Sequence, residues 1–155
     1  CSASPSPPAM VAMMAAAAKA AVDAATEVGC KRPLIVGVTI LTSLDNQDLF
    51  AIGYKNNVAD QVLTLAKLAK ENGLDGVVCS PHEIELIKNA CGQDFKLVVP
   101  GIRPAGSANA DQKRVMTPHE AVNLGADFLV IGRPITQAAD PAQAAMAIAK
   151  EINGA

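Results

Sequence analysis

Four short aliphatic runs, each followed by a stretch that starts and stops like a helix, leave this chain very few folds. The runs occupy residues 34–40, 76–79, 96–99 and 128–131 and are dominated by Val, Ile and Leu. Continuous, β-branched runs of this kind suit strands buried on both faces of a parallel sheet. The intervening stretches carry helix signals. One helix is predicted from about Pro8 to just before Gly29, and others over about 45–52 and 58–72, the latter closed by Gly73. Ser80-Pro81-His82-Glu83 reads as a capping box with proline at the first helical position, opening a helix to about Ala90. Thr117-Pro118-His119-Glu120 repeats that device and launches a short helix stopped at Gly125, while Asp140-Pro141 starts a last helix to about Ile152. The polar stretch 105–114 has no apolar periodicity and is expected to be a loop with a task of its own.

Strands separated by helices run parallel, and right-handed crossovers bring every strand-to-helix loop to one edge of the sheet. The expected fold class is therefore α/β, with four βα units. A complete (β/α)8 barrel needs about 250 residues. The chain has 155, so a barrel built from it is a partial one. The expectation is a single partial-barrel domain over 1–155: residues 1–30 form an Ala-rich helix whose own strand lies outside the sequence, and 34–155 form the four βα units.

Half the residues are hydrophobic but only 3% are aromatic, as suits an interior of small aliphatic side chains. A net charge of −2 recommends neither a nucleic-acid groove nor an anionic membrane surface. Cys1, Cys30, Cys79 and Cys91 form no Cys-x-x-Cys pair and have only two histidines to accompany them, so buried reduced thiols are expected rather than a metal or redox site. The Ala-rich run 9–18 is too short to span a bilayer, and no cleavable signal pattern is visible, which makes the cytoplasm the expected compartment.

The loop edge is where function belongs. It offers Thr42-Ser43 after the first strand, Ser80 after the second, Gly101-Ile102-Arg103 after the third and Gly132-Arg133 after the fourth. A glycine at a strand end lets backbone amides approach an anion, and an arginine adds a bidentate cation. A Gly-Arg pair is also an ordinary turn followed by a solvated charge. Two arginines at the ends of consecutive strands, with Asp111-Gln112 on the loop between them, favour anion binding. Barrel enzymes commonly hold phosphate after their last two strands. His82 and His119 sit at second helical positions, where a solvated polar side chain is unremarkable. Ser80 and Thr117 are accounted for as caps, and Cys79 as core.

Leu41-Thr42-Ser43, Leu74-Asp75-Gly76-Val77-Val78-Cys79-Ser80, Pro100-Gly101-Ile102-Arg103-Pro104, Asp111-Gln112, Met116-Thr117-Pro118 and Val130-Ile131-Gly132-Arg133-Pro134-Ile135-Thr136 occur in an order and spacing that resemble bacterial orotidine 5′-monophosphate decarboxylases. The match spans nearly the whole chain from about Leu34 and corresponds to strands five to eight of that family's barrel. The resemblance implies that Thr42 contacts the pyrimidine and that Pro100 lines the pocket near the reacting base. Arg103, Gln112, Gly132 and Arg133 would hold or close over the 5′-phosphate. It implies conversion of orotidine monophosphate to uridine monophosphate and carbon dioxide, in pyrimidine biosynthesis, with no metal or organic cofactor.

One departure is as informative as the match. The family's Asp-x-Lys-x-x-Asp array has no counterpart: Asp111-Gln112-Lys113 imitates its opening, but Met116 stands where the second acid belongs. No catalytic residue is therefore expected in this chain, and the proton-donating lysine would come from an N-terminal half. A half-barrel leaves two unpaired strand edges and an uncovered inner face, so a partner is expected, either that half or a second copy in a homodimer. The other readings are a related sugar-phosphate barrel lyase and a noncatalytic nucleotide-binding module.

Overall fold

A computed structural model of the chain describes residues 9–104 and 116–153. The elements follow in the order α1 (Ala9–Val28), β1 (Val36–Val38), α2 (Asn46–Ala51), α3 (Val58–Glu71), β2 (Gly76–Val78), a 3-10 turn (Pro81–Glu83) running into α4 (Ile84–Cys91), β3 (Lys96–Pro100), α5 (Pro118–Leu124), β4 (Phe128–Val130), α6 (Arg133–Thr136) and α7 (Pro141–Ile152). The strands form one sheet in the order β1-β2-β3-β4, and every pairing is parallel. Sequential order is what short right-handed βα crossovers produce.

Cross-strand register sorts the side chains into two faces. Gly37, Val77 and Leu97 share a row, as do Val99 and Leu129. This face lies against the helices: a Cβ added at Gly37 would meet Leu74 at 3.1 Å and Ala69 at 3.8 Å. Val62, Ala66 and Ala69 of α3, Ile84, Ile87 and Cys91 of α4, and Ala121 of α5 close over Val77, Leu97 and Val99 as one core cluster. Each fully buried Leu, Ile or Val there contributes about 1.5–3 kcal/mol.

The opposite face is open. Val38, Phe128 and Val130 are 65%, 47% and 51% exposed, although they lie in strands whose sequence predicts burial on both sides. The double burial that strand composition suggests is thus corrected: among the described residues helices cover one face only, leaving uncovered the face that the partial-barrel reading expects to be open. Strand bounds are also narrower than the aliphatic runs, since β1 is confined to three residues and pairs with β2 alone.

The helix starts follow the sequence closely. Ser80 and Thr117 both form full capping boxes, with Glu83 and Glu120 respectively, each with proline in the first turn. Asp45 makes a further one with Asp48. α6 is an addition the sequence reading lacks. Residues 9–18 alone are too short to cross a bilayer, but α1 continues through Lys19 and Asp23 to Val28. Its 20 residues suffice by length and composition, and only 11% of its most apolar window is buried. A core helix and a signal sequence meet the same test, so this property alone assigns α1 to neither. The expectation of buried thiols holds for Cys79 and Cys91, whereas Cys30 is exposed just past the end of α1.

Candidate functional site

Loops after the strands gather at the C-terminal edge of the sheet. Beyond β1 the chain turns at Leu41-Thr42-Ser43, where the Leu44 amide donates to the Leu41 carbonyl at 3.0 Å. Between this turn and the exit of β2 lies a cavity of about 460 Å³, whose lining includes Thr42, Asn46, Asn57, Ser80, His82 and Glu83. That volume is within the range of small-ligand pockets. Much of the polar lining is committed to local structure. The Asn46 side-chain oxygen accepts from the Val58 amide at 2.8 Å, and Asn57 caps α3 through the Asp60 amide at 2.8 Å. Glu83, 7% exposed, accepts from the Ser80 amide at 2.8 Å. Burial pushes the Glu83 carboxyl up from its ordinary value, and the Ser80 amide only partly opposes this.

The exits of β3 and β4 are neighbours, because Pro100 pairs with Val130. Pro100 ends β3 half-buried, and Gly101 follows at φ +79°, a conformation that costs glycine little. The bend buries Ile102 (2% exposed) and leaves Arg103 half-buried. The Arg103 amide donates to the Met116 carbonyl at 3.2 Å, which brings together the described residues on either side of 105–115. Gln112 belongs to that segment and lies outside the described residues. Beyond β4, Gly132 is the N-cap and Arg133 the first residue of α6, both exposed.

One contrast separates these exits. The turns after β2 and β3 lead into helical segments whose first amides are occupied by the side chains of Ser80 and Thr117. The segment after β4 begins at Gly132, which supplies no side-chain cap. Pro134 has no N–H, and the Ile135 and Thr136 amides donate to the Gly132 carbonyl at 2.8 and 3.1 Å, so the backbone donors this turn could turn to an anion, beside the arginine, are those of Gly132 and Arg133. The structure thus puts Pro100 and Arg103 beside Gly132 and Arg133 on adjacent exits. Thr42 stands at the exit of β1, with β2 between it and the arginines.

The opposite edge carries two aspartates that the sequence reading passes over. The Asp75 amide donates to the Ile35 carbonyl at 2.8 Å, and the Ile35 amide donates back to the Asp75 carboxylate at 2.7 Å. Asp127 repeats this with Leu97, at 3.1 and 3.0 Å. Each aspartate just before one strand therefore fixes the start of the strand preceding it. Burial alone would raise Asp75, but the Ile35 amide and the Arg32 guanidinium hold it below the ordinary carboxylate range. Asp127 is likewise held low against burial, by Lys88, Lys96 and the Leu97 amide. The signal was available as an internal repeat, Gly73-Leu74-Asp75-Gly76-Val77-Val78 against Gly125-Ala126-Asp127-Phe128-Leu129-Val130. Clamps at the N-terminal edge of such a sheet serve stability, leaving the C-terminal edge for ligands.

Parallel strands in sequential order, each followed by helix, with glycine and arginine at the loop edge, define an α/β protein of the kind that builds βα barrels. Comparison with known proteins narrows this. The chain belongs to the Orotidine 5′-phosphate decarboxylase / HUMPS family, which it matches over residues 3–148. It is 56% identical over 125 residues to the orotidine 5′-phosphate decarboxylase of Glaesserella parasuis, covering 81% of this chain and 53% of that protein. With the enzyme of that name from Paramagnetospirillum magneticum it shares 55% identity over 141 residues, covering 91% and 60%. The crystal structure of orotidine 5′-phosphate decarboxylase from Lactobacillus acidophilus superposes with a TM-score of 0.77 at 41% identity, covering 91% of this chain and 58% of that one. The chain spans about half the length of the curated relatives it matches.

Proposed function

We propose that this chain is the C-terminal half, strands five to eight, of a (β/α)8 barrel that decarboxylates orotidine 5′-monophosphate to uridine 5′-monophosphate. The observation that carries the reading is the one-sided sheet. Its helix-covered face forms a core, while Val38, Phe128 and Val130 remain exposed on the other face, as barrel-lining residues would be before closure. Half-length coverage of full-length relatives agrees with it. The complementary half would cover that face, pair with the free edges of β1 and β4, and bring the lysine and aspartates for which residues 111–116 are no substitute.

Within this division of labour the chain supplies recognition. Thr42, on the cavity at the β1 exit, contacts the pyrimidine, and Pro100 lines the pocket beside the reacting base. Arg103, Gln112, Gly132 and Arg133 hold the 5′-phosphate. The Arg103 amide, bonded to the Met116 carbonyl, joins the residues on either side of the segment to which Gln112 belongs. Phosphate contacts remote from the carboxylate lower the barrier when they tighten in the transition state. The reaction needs no metal or organic cofactor, and the cytoplasm, where nucleotides are made, is its proposed compartment.

The test is Arg133→Ala in the complete enzyme. Losing a charge-assisted phosphate contact should raise KM and lower kcat/KM by about tenfold or more. Unchanged kinetics would remove Arg133 from the site.

A further inference from the structure

We infer that Thr39 is a positioning residue, whose hydroxyl sets where Thr42 meets the base. This rests on the proposal that Thr42 contacts the pyrimidine. Thr39 is the first residue past β1, where the ladder with β2 loosens: its amide reaches the Val78 carbonyl only at 3.3 Å. Its hydroxyl reaches the same carbonyl at 2.8 Å and is the tighter tether. Val78 is itself held in place, since the next amide, Cys79, donates to the Val98 carbonyl of β3 at 3.1 Å. The Thr39 hydroxyl therefore fastens the exit of β1 to a carbonyl already locked into the centre of the sheet.

Between Thr39 and Thr42 stand only Ile40, half-buried against the core cluster, and Leu41, 61% exposed. Beyond them the bond from Leu44 to Leu41 closes the turn. The turn is thus a small closed unit hung from the sheet at Thr39 and Ile40. Without the hydroxyl, Thr39 keeps only its longer amide bond to Val78, the β1 side of the turn relaxes, and Thr42 shifts against the cavity it lines. The phosphate residues hang from β3 and β4 and are not attached through this point. The expected signature is a loss confined to the base.

The experiment uses the complete barrel carrying this sequence and compares the dissociation constants of uridine 5′-monophosphate and ribose 5-phosphate, which lacks the base. Thr39→Val should weaken uridine monophosphate about fivefold, the worth of one neutral hydrogen bond, leave ribose 5-phosphate unchanged, and be rescued by Thr39→Ser. Equal weakening of both ligands, or of neither, would overturn the inference. Thr42→Ala is the parallel arm. If it shifts the ratio while Thr39→Val does not, positioning fails and the base contact stands. If Thr42→Ala leaves the ratio unchanged, the base contact fails and the Thr39 inference falls with it.

Discussion

Replacing Lys88 by alanine removes an apolar stem and a charge from the same buried place. Lys88 is 5% exposed, and its ammonium donates to the Gln93 carbonyl at 2.9 Å, the Phe95 carbonyl at 3.0 Å and the Asp127 carboxylate at 2.8 Å. Its stem lies under Gly125, where an added Cβ would stand 3.3 Å from two of its carbons. Truncation deletes three buried methylenes, about 2.5 kcal/mol at roughly 0.8 each. Loss of the charged donor adds about 1.5–3 kcal/mol. Asp127 keeps Lys96 and the Leu97 amide, so the lower end of that range applies. The sum, about 4 kcal/mol, is a large share of the 5–15 kcal/mol typical of a domain. Lys88→Met retains the stem and should lose only about 1.5–2 kcal/mol. Urea unfolding followed by circular dichroism gives both numbers from midpoint and slope. A Lys88→Ala loss below about 1 kcal/mol would mean that neither the buried stem nor the buried charge stabilises the fold as its contacts imply. A Lys88→Met variant as stable as the parent would show that desolvation of the pair cancels its attraction.

Three further outcomes follow from the same geometry. Asp75 and Asp127 have folded-state pKa values below their unfolded ones, so the stability they contribute is present above about pH 4 and is lost as pH falls through the folded values. Asp75→Asn should flatten the acid limb of a pH series of urea midpoints, and an unaltered limb would remove Asp75 from this role. Burial pushes the Cys79 thiol up to about 12, so in the native state Cys30 should alkylate well before Cys79 or Cys91, as peptide mapping by mass spectrometry can check. Gly76→Ala would place a Cβ 2.0 Å from the Lys96 carbonyl oxygen across the ladder, and should cost about 3 kcal/mol, read as a fall in urea midpoint.

What was legible in the sequence tracks what is local. Capping boxes at Ser80 and Thr117 are decided within four residues, and both formed as their letters specify. The order and parallel sense of the strands follow from alternating strand and helix signals, which the crossover rule converts into topology. The open face was not legible from strand composition: Val38 and Val130 have the same aliphatic character as buried Val77 and Val99, and only the placement of helices separates them. α6 escaped because four residues beginning Arg-Pro carry no periodicity. Asp75 and Asp127 escaped because their partners, Ile35, Lys88 and Leu97, are distant in sequence. At the candidate site, the glycines and arginines were visible as residue types, while the contrast between capped and uncapped helix starts emerged only from the folded backbone.

In the proposed barrel, recognition and catalysis are divided between two halves. The most direct test assays the purified chain, its intact mass confirmed, for release of carbon dioxide from orotidine 5′-monophosphate, first alone and then mixed with the N-terminal half of a close relative. A divided barrel gives no turnover from the chain alone and turnover on mixing, with Arg133→Ala impairing the mixture. Turnover by the 155-residue chain alone would contradict the division.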